Sequence, residues 1–224
     1  QLLRDYYELQ DFGHGTMEDV PLRIGTSLTI GNQLLPQVIQ KFKKQYPKTP
    51  LKIFAENVNQ IKGRLIDGDI EIAFIEGFEP RQSFESTFLS EYELFFVGSP
   101  KYFKSENISR ETISELPLLL REPGSTLRDY FDNLMHQLGM EVEPMLTSSN
   151  TEVLIKSAIA GLGLTILPEP LARPYFEAGE LVNLSPPGTK MLTKNYAITL
   201  KGSPLTDLRT DLIKYFQDEV LASR

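Results

Sequence analysis

The chain contains no cysteine, which excludes a disulfide framework, a thiolate nucleophile and a cysteine-ligated metal site, and fits a reducing compartment. Histidine is scarce. His14 lies in a glycine-flanked segment and His136 in a helix-like stretch, and neither belongs to an HExxH pattern, so no metal and no cofactor is expected. No stretch reaches the roughly 18 apolar residues of a membrane-crossing helix, and the N-terminal QLLRDYYELQ is charged and amphipathic, unlike a secretory leader. The expectation is a cytoplasmic protein with no membrane partner. Enzyme signatures are missing too: there is no GxSxG elbow, Gly188-Thr189-Lys190 lacks the upstream glycine of a phosphate loop, and Gly13-His14-Gly15 lacks a third glycine and a preceding buried strand. The acid pairs Glu71/Glu76 and Asp67/Asp69 read as solvated strand and turn edges. A binding module is expected, not an enzyme.

What is present is ordinary for a globular chain: 224 residues, 41% hydrophobic and 24% charged, enough for one large domain or two small lobes. The net charge of −7 works against this segment gripping nucleic acid by itself, since that needs clustered Lys and Arg.

The stretch LRIGTSLTIGNQLLPQVIQKFKKQYP, Leu22 to Pro47, organises the rest. Leu22 and Ile24 suit a short strand, and Leu34, Leu35, Val38, Ile39 and Phe42 fall at helical spacing. Between them Ser27 and Thr29 can either cap the helix or present hydroxyls and unpaired N–H groups to a small anion. Farther on, Leu51–Glu56 reads as a strand, Asn57–Asp67 as a helix and Ile70–Ile75 as a buried strand, which implies a parallel sheet with crossover helices. Gly77–Ser86 reads as a polar loop and Glu93–Val97 as a strand.

The pattern then restarts. Ser109–Leu116 suits a short helix, Leu118–Arg121 a strand, and Glu122-Pro123-Gly124-Ser125-Thr126 a tight turn into a helix ending near Leu138. Met145–Thr147 is strand-like, and Ser149 and Glu152 stand in capping-box register before a further helix. Leu164–Leu167, Leu181–Leu184 and Asn195–Leu200 suit strands. Ser203 as cap and Pro204 at the first helical position introduce a last helix striped by Leu205, Leu208, Leu212, Phe216 and Val220. Two α/β lobes with a ligand cleft between them are the natural expectation.

The segments LRIGTSLTIGNQLLPQVIQKFKKQYP, LIDGDIEIAFIEG, LFFVGSPKYF, REPGSTLRDYFD and TSSNTEVLIKSAIAGLGLTILPE, in this order, resemble the effector-binding regulatory domain of LysR-type transcriptional regulators. The resemblance covers most of Leu22 to Glu169, with the C-terminal portion similar in pattern only. It implies a two-lobed type II periplasmic-binding-protein-like α/β fold, each lobe a mainly parallel sheet flanked by helices. Residues 1–20 would hold the end of a linker helix (Gln1–Phe12) and a linker, residues 21–96 with 197–224 the first lobe, and 97–196 the second, hinged by Glu93–Gly98 and Asn195–Thr199. The winged helix-turn-helix DNA-binding domain would be absent from this chain.

The function implied is sensing of a small anionic metabolite in the inter-lobe cleft, altering oligomer geometry to control transcription. Effector-binding positions carried over by position are Ser27, Thr29, Gly124, Ser125, Thr126, Ser149 and Asn150, with Arg121 available to neutralise an anion or to pair with Glu122. Ile30, where some anion-binding relatives are polar, departs from that pattern. The implied partners are a small-molecule effector and further copies in a homodimer or tetramer, with DNA contacted only through the missing domain. In the dimer the Gly31–Tyr46 helix would lie against the partner's Ser125–Leu138 helix. A solute-binding protein of a transport system is the alternative. A fold-related deaminase or dehydratase is a third class, and it lacks a general base beside the hydroxyl turns.

Overall fold

Leu22 and Ile24 open β1 (Leu22–Ser27), a strand buried on both faces as parallel strands are. The computed structural model describes residues 20–77, 83–103, 108–137, 139–188 and 190–222; the segment read as the tail of a linker helix, with its linker, lies outside the described residues. From Ser27 the chain turns directly into α1 (Leu28–Gln33) and then, across Leu34, into α2 (Leu35–Gln45). The helix expected here is thus two, the first beginning earlier than Gly31. Pro36 explains the break: it has no N–H for the carbonyl four residues back, yet it is well placed in the first turn of a new helix.

β2 (Leu51–Glu56) pairs in parallel with β1, and α3 (Val58–Ile66) returns under a capping box in which Asn57 and Gln60 exchange backbone hydrogen bonds. β3 (Ile72–Glu76) then joins β1 on its other side, also in parallel. Gly25 is required at this crossing, because a Cβ there would collide with Ile70 and press on Ile61. The next strand, β4, runs without interruption from Phe84 to Gly98. The expected loop therefore ends earlier and the strand begins earlier; the first half of β4 is largely exposed, so it carries no apolar alternation to betray it.

The chain divides into two compact units, one using residues up to Ser90 and from Lys194 onward, the other Glu91–Thr193. It passes between them inside β4 and again inside β9.

Within the second unit α4 (Arg110–Glu115), capped by Ser109, leads to β5 (Leu119–Arg121). α5 (Thr126–Gln137) follows, then β6 (Leu146–Ser148), which pairs in parallel with β5. α6 (Thr151–Ile159) and β7 (Thr165–Pro168) come next, and β7 lies antiparallel to β4. α7 (Glu169–Glu177) and the short β8 (Val182–Asn183), also antiparallel to β4, complete the set. The core of this unit gathers Phe96, Leu118, Leu120, Phe131 and Leu164 in one cluster and Val97, Leu119, Leu154, Ile155 and Leu167 in another.

β9 (Met191–Leu200) returns the chain to the first unit, antiparallel to β3, and α8 (Asp207–Ala222) closes it. This helix does not start on Ser203 and Pro204 as expected. Arg209 donates to the Pro204 carbonyl at 2.8 Å and its backbone N–H reaches Thr206 Oγ1 at 3.4 Å, so residues 203–206 lie outside the helix, which begins at Asp207. Leu205 is accordingly exposed, while Leu212, Phe216 and Val220 are buried with Phe42 and Phe74. The Phe74 and Phe216 rings stack with centroids 3.7 Å apart. On the rim of the same cluster Tyr46 Oη donates to Asp211 Oδ2 at 2.5 Å. That bond pushes the phenol up to about 12 and holds the carboxyl below its ordinary value.

Candidate functional site

Ser27 occupies the residue before α1, with extended backbone angles, yet its side chain makes no capping bond. It is 1% exposed and Thr29, one residue into the helix, 2% exposed; among the described residues Ser27 Oγ and Thr29 Oγ1 both lack a hydrogen-bond partner. The capping role weighed for these residues is not what the structure shows. A buried hydroxyl left without a partner costs about 1–3 kcal/mol. Two side by side at the carboxyl end of a parallel strand are chemically suited to a ligand that can exchange hydrogen bonds with them.

Two strands away, the same unit holds polar groups that sequence reasoning did not single out as site residues. Asn195, 1% exposed, donates from Nδ2 to Ser90 Oγ at 2.7 Å, and its Oδ1 has no partner among the described residues. In the β3–β9 register Asn195 stands opposite Glu76, itself 3% exposed. The signal available in the sequence was an asparagine within a strand, a residue type that pleated, buried surfaces disfavour. At the edge of this sheet Glu56, the register neighbour of Ser27, takes two bonds from Arg64 at 2.7 and 2.6 Å, which hold its carboxyl below the ordinary range.

In the second unit the hydroxyls of Ser125 and Ser148, at the starts of two helices, are engaged. Ser125 Oγ accepts the Arg128 backbone N–H at 3.2 Å and so caps α5 after Gly124, whose φ of 90° is glycine's territory. Thr126 is buried in the first turn. At the start of α6 the cap is Asn150, accepting the Glu152 N–H at 3.0 Å, and Ser148 Oγ accepts the N–H of Asn150 at 3.0 Å. Ser149 is exposed and the capping box expected for it with Glu152 does not form, because the helix starts one residue later than that register requires.

Arg121, at the end of β5, is 2% exposed and already neutralised. Its Nε and one terminal nitrogen take both oxygens of Glu122 at 2.8 and 3.1 Å, and the other terminal nitrogen reaches Thr151 Oγ1 at 3.2 Å. This guanidinium thus ties the turn carrying Gly124 and Ser125 to the start of α6. Thr165 on β7 and Thr193 on β9 are buried hydroxyls of this unit whose Oγ1 lacks a partner among the described residues.

Among the described residues no group of three or more His, Asp or Glu side chains could hold a metal ion, and no helix is long and apolar enough to cross a membrane.

Comparison with known proteins places these residues in a family. The model of the LysR substrate binding domain matches residues 18–221. The chain is 25% identical over 197 residues to an uncharacterized HTH-type transcriptional regulator, YeiE of Escherichia coli, covering 87% of this chain and 67% of that protein. To the HTH-type transcriptional regulator CysL of Bacillus subtilis it is 27% identical over 155 residues, covering 68% of this chain and 52% of that one. Among solved structures, the regulatory domain of Synechocystis CcmR in complex with 2-PG superposes with a TM-score of 0.76 at 18% identity, covering 88% and 96% of the two chains. The effector binding domain of QuiR in complex with shikimate gives 0.73 at 16%, covering 89% and 96%. The chain belongs to the LysR substrate binding domain family and has its two-lobed, type II periplasmic-binding-protein-like α/β fold.

Proposed function

We propose that the chain is the effector-sensing part of a LysR-type transcriptional regulator, in which a small acidic metabolite is captured by the hydroxyls of Ser27 and Thr29 and the capture changes oligomer geometry. The observation that carries this reading is the pair of buried hydroxyls without partners at the end of β1. A fold does not leave such groups unsatisfied without cost, and a ligand supplies what the chain does not. YeiE and CysL, to which it is similar, are regulators, which supports a sensor in place of an enzyme. Two relatives in the fold family are described with small acids, 2-PG and shikimate.

The response follows from linkage. A ligand shifts an equilibrium between arrangements of the protein only by as much as its affinity differs between them. In the whole regulator that shift would change the geometry of a homodimer or tetramer, and through a DNA-binding domain, transcription inside the cell. The contact that would transmit it sets the helices α1 and α2 of one copy against α5 of the next, an isologous arrangement. Light scattering at rising concentration tests this part, and a monomer throughout would remove it.

Calorimetry of the chain against a panel of small carboxylic and phosphorylated acids tests the site. Ser27→Ala should weaken the best ligand about tenfold, the loss of roughly one charge-assisted hydrogen bond. Ser125→Ala asks whether the second unit contributes too. Affinity unchanged in both variants would remove the site.

A further inference from the structure

The net charge of −7 is unevenly spread along the chain. No Asp or Glu occurs between Val20 and Ala55, a stretch that holds Arg23, Lys41, Lys43, Lys44, Lys48 and Lys52. Three of these cations are engaged within the fold. Arg23 pairs with Glu71 at 3.4 Å, Lys41 with Glu219 at 2.6 Å, and Lys52 Nζ stands 5.3 Å from the centre of the Phe54 ring. Lys43, Lys44 and Lys48 are exposed, and none of them pairs with a carboxylate among the described residues. Hydrogen bonds gather them. Lys43 Nζ donates to the carbonyls of Pro47 at 3.4 Å and Thr49 at 2.8 Å, which flank Lys48 in the turn after α2, and Lys44 adjoins it in the last turn of the helix. Asp211, which accepts from the nearby Tyr46, is already paired with Lys214.

Lysines in the last turn of a helix complement its dipole, which accounts for Lys43 and Lys44 locally. It does not account for Lys48, which lies beyond the helix, and bonds to carbonyls leave the charge of Lys43 in place. The surroundings of the patch decide what it fits. Protein interfaces have an apolar core in which aromatic residues and Arg are enriched and Lys is depleted. Residues 35–52 expose no large apolar side chain, and the exposed cations here are all lysines. A lysine is a compact point charge suited to phosphate, without the fork that makes Arg the better match for carboxylate. At about 0.1 M salt, charges farther away than about 10 Å are largely screened, so the acidic remainder of the chain does not cancel a patch in direct contact with phosphates.

Resting on the reading that the chain is part of a DNA-bound regulator, we infer that Lys43, Lys44 and Lys48 form an accessory surface for the phosphate backbone of duplex DNA. Such contact carries no sequence information and adds to what a DNA-binding domain supplies. DNA then meets more of the regulator than that domain alone. The contact between copies proposed above is left to α1 and the first turns of α2.

The test is an NMR titration of the isotope-labelled whole chain, without effector, against a short mixed-sequence DNA duplex. Amide shifts should concentrate between Lys43 and Leu51. Affinity should fall as salt rises with a logarithmic slope of about −3, roughly 0.9 for each of three phosphate contacts. Lys44→Gln and Lys48→Gln should each flatten that slope by about one, with Lys43 kept so that its bonds to the turn survive. Lys156→Gln, at an exposed lysine of the second unit paired with Glu152, should leave the slope unchanged. A merely structural role would lower the melting temperature of the patch variants and leave the slope alone, which overturns the inference. It is also overturned by the absence of patch shifts at about 50 mM salt, or by tighter binding to phosphatidylserine vesicles than to the duplex. A change of mass in Lys44→Glu by light scattering without DNA would assign the patch to a contact between copies, and overturns it too. The effector site is tested separately: Ser27→Ala should leave the DNA titration as it is, and a failed patch leaves effector capture by Ser27 and Thr29 standing.

Discussion

Ser27 and Ser125 each immediately precede a helix, and by sequence each is a reasonable cap, yet the structure uses them differently. Ser125 accepts an N–H from the first turn of α5 and is satisfied. Ser27 is as deeply buried, makes no capping bond, and stands beside Thr29 in the same condition. The start of α6 repeats the arrangement of the second unit, with Asn150 as cap and Arg121 bonded to Thr151 behind it. The second unit's turns are thus held by their own hydrogen bonds, whereas the first unit's turn is built with bonds left to make. A hydroxyl before a helix therefore does not distinguish cap from ligand group; its partners do.

Removing Arg121 should produce the largest stability effect. Arg121→Ala leaves the Glu122 carboxylate without its two bonds and frees Thr151, so the two turns of the second unit lose their tie. Breaking one side of a buried ion pair costs about 3–5 kcal/mol, and because Glu122 is 20% exposed the expected loss is at the lower end, about 3 kcal/mol. Urea unfolding measures it. A loss under about 1 kcal/mol would make Arg121 an ordinary surface pair and free it to meet an anion.

The caps come next. Ser125→Ala and Asn150→Ala should each cost about 1 kcal/mol, the usual value of a lost N-cap, and Ser149→Ala should cost almost nothing because its side chain is exposed and is not the cap. If Ser149→Ala were as costly as Asn150→Ala, the helix would start where the capping-box register put it.

How far the sequence reading reached follows the same division. Helices with an apolar stripe, such as Val58–Ile66 and the Leu212–Phe216–Val220 face, were readable because burial imposes a period on the residues. β4 was only half readable: Phe96 and Val97 are buried, but from Phe84 to Phe88 the strand is held by main-chain pairing that leaves no mark on side-chain type. The start of α8 was missed because Arg209 holds the Pro204 carbonyl, a contact made by a side chain five residues on. Within the candidate site, position in the sequence singled out Ser27, Thr29 and Ser125 as candidates. Asn195 escaped because its significance lies in a partner, Ser90, 105 residues away in the chain.

A smaller effect probes the edge of the first unit, where Glu56 is held ionised by Arg64. A carboxyl whose folded value is lowered contributes stability that is complete above its ordinary value near 4.3 and is lost as pH falls through the lowered folded value. Melting temperature should therefore fall as acid is added below about pH 4. Glu56→Gln should flatten that part of the profile while leaving the curve at neutral pH with only a small offset. An unchanged acid limb in the variant would show that other carboxyls dominate it.

The smallest stability effect, and the most discriminating, is expected at Ser27. Ser27→Ala removes a buried hydroxyl that has no hydrogen bond to lose, so the variant is spared the desolvation of an unsatisfied group and should be as stable as the wild type or slightly more so. Thr29→Val exchanges a hydroxyl for a methyl of nearly the same volume and should behave likewise. Ser125→Ala removes the same atoms from the same residue type at the same position before a helix, and should nevertheless destabilise. The opposite signs are the content of the comparison. Equal losses in Ser27→Ala and Ser125→Ala, measured by urea unfolding without ligand, would mean that Ser27 caps its helix in solution. A neutral Ser27→Ala that also loses ligand affinity would show a residue retained for binding at a cost in stability.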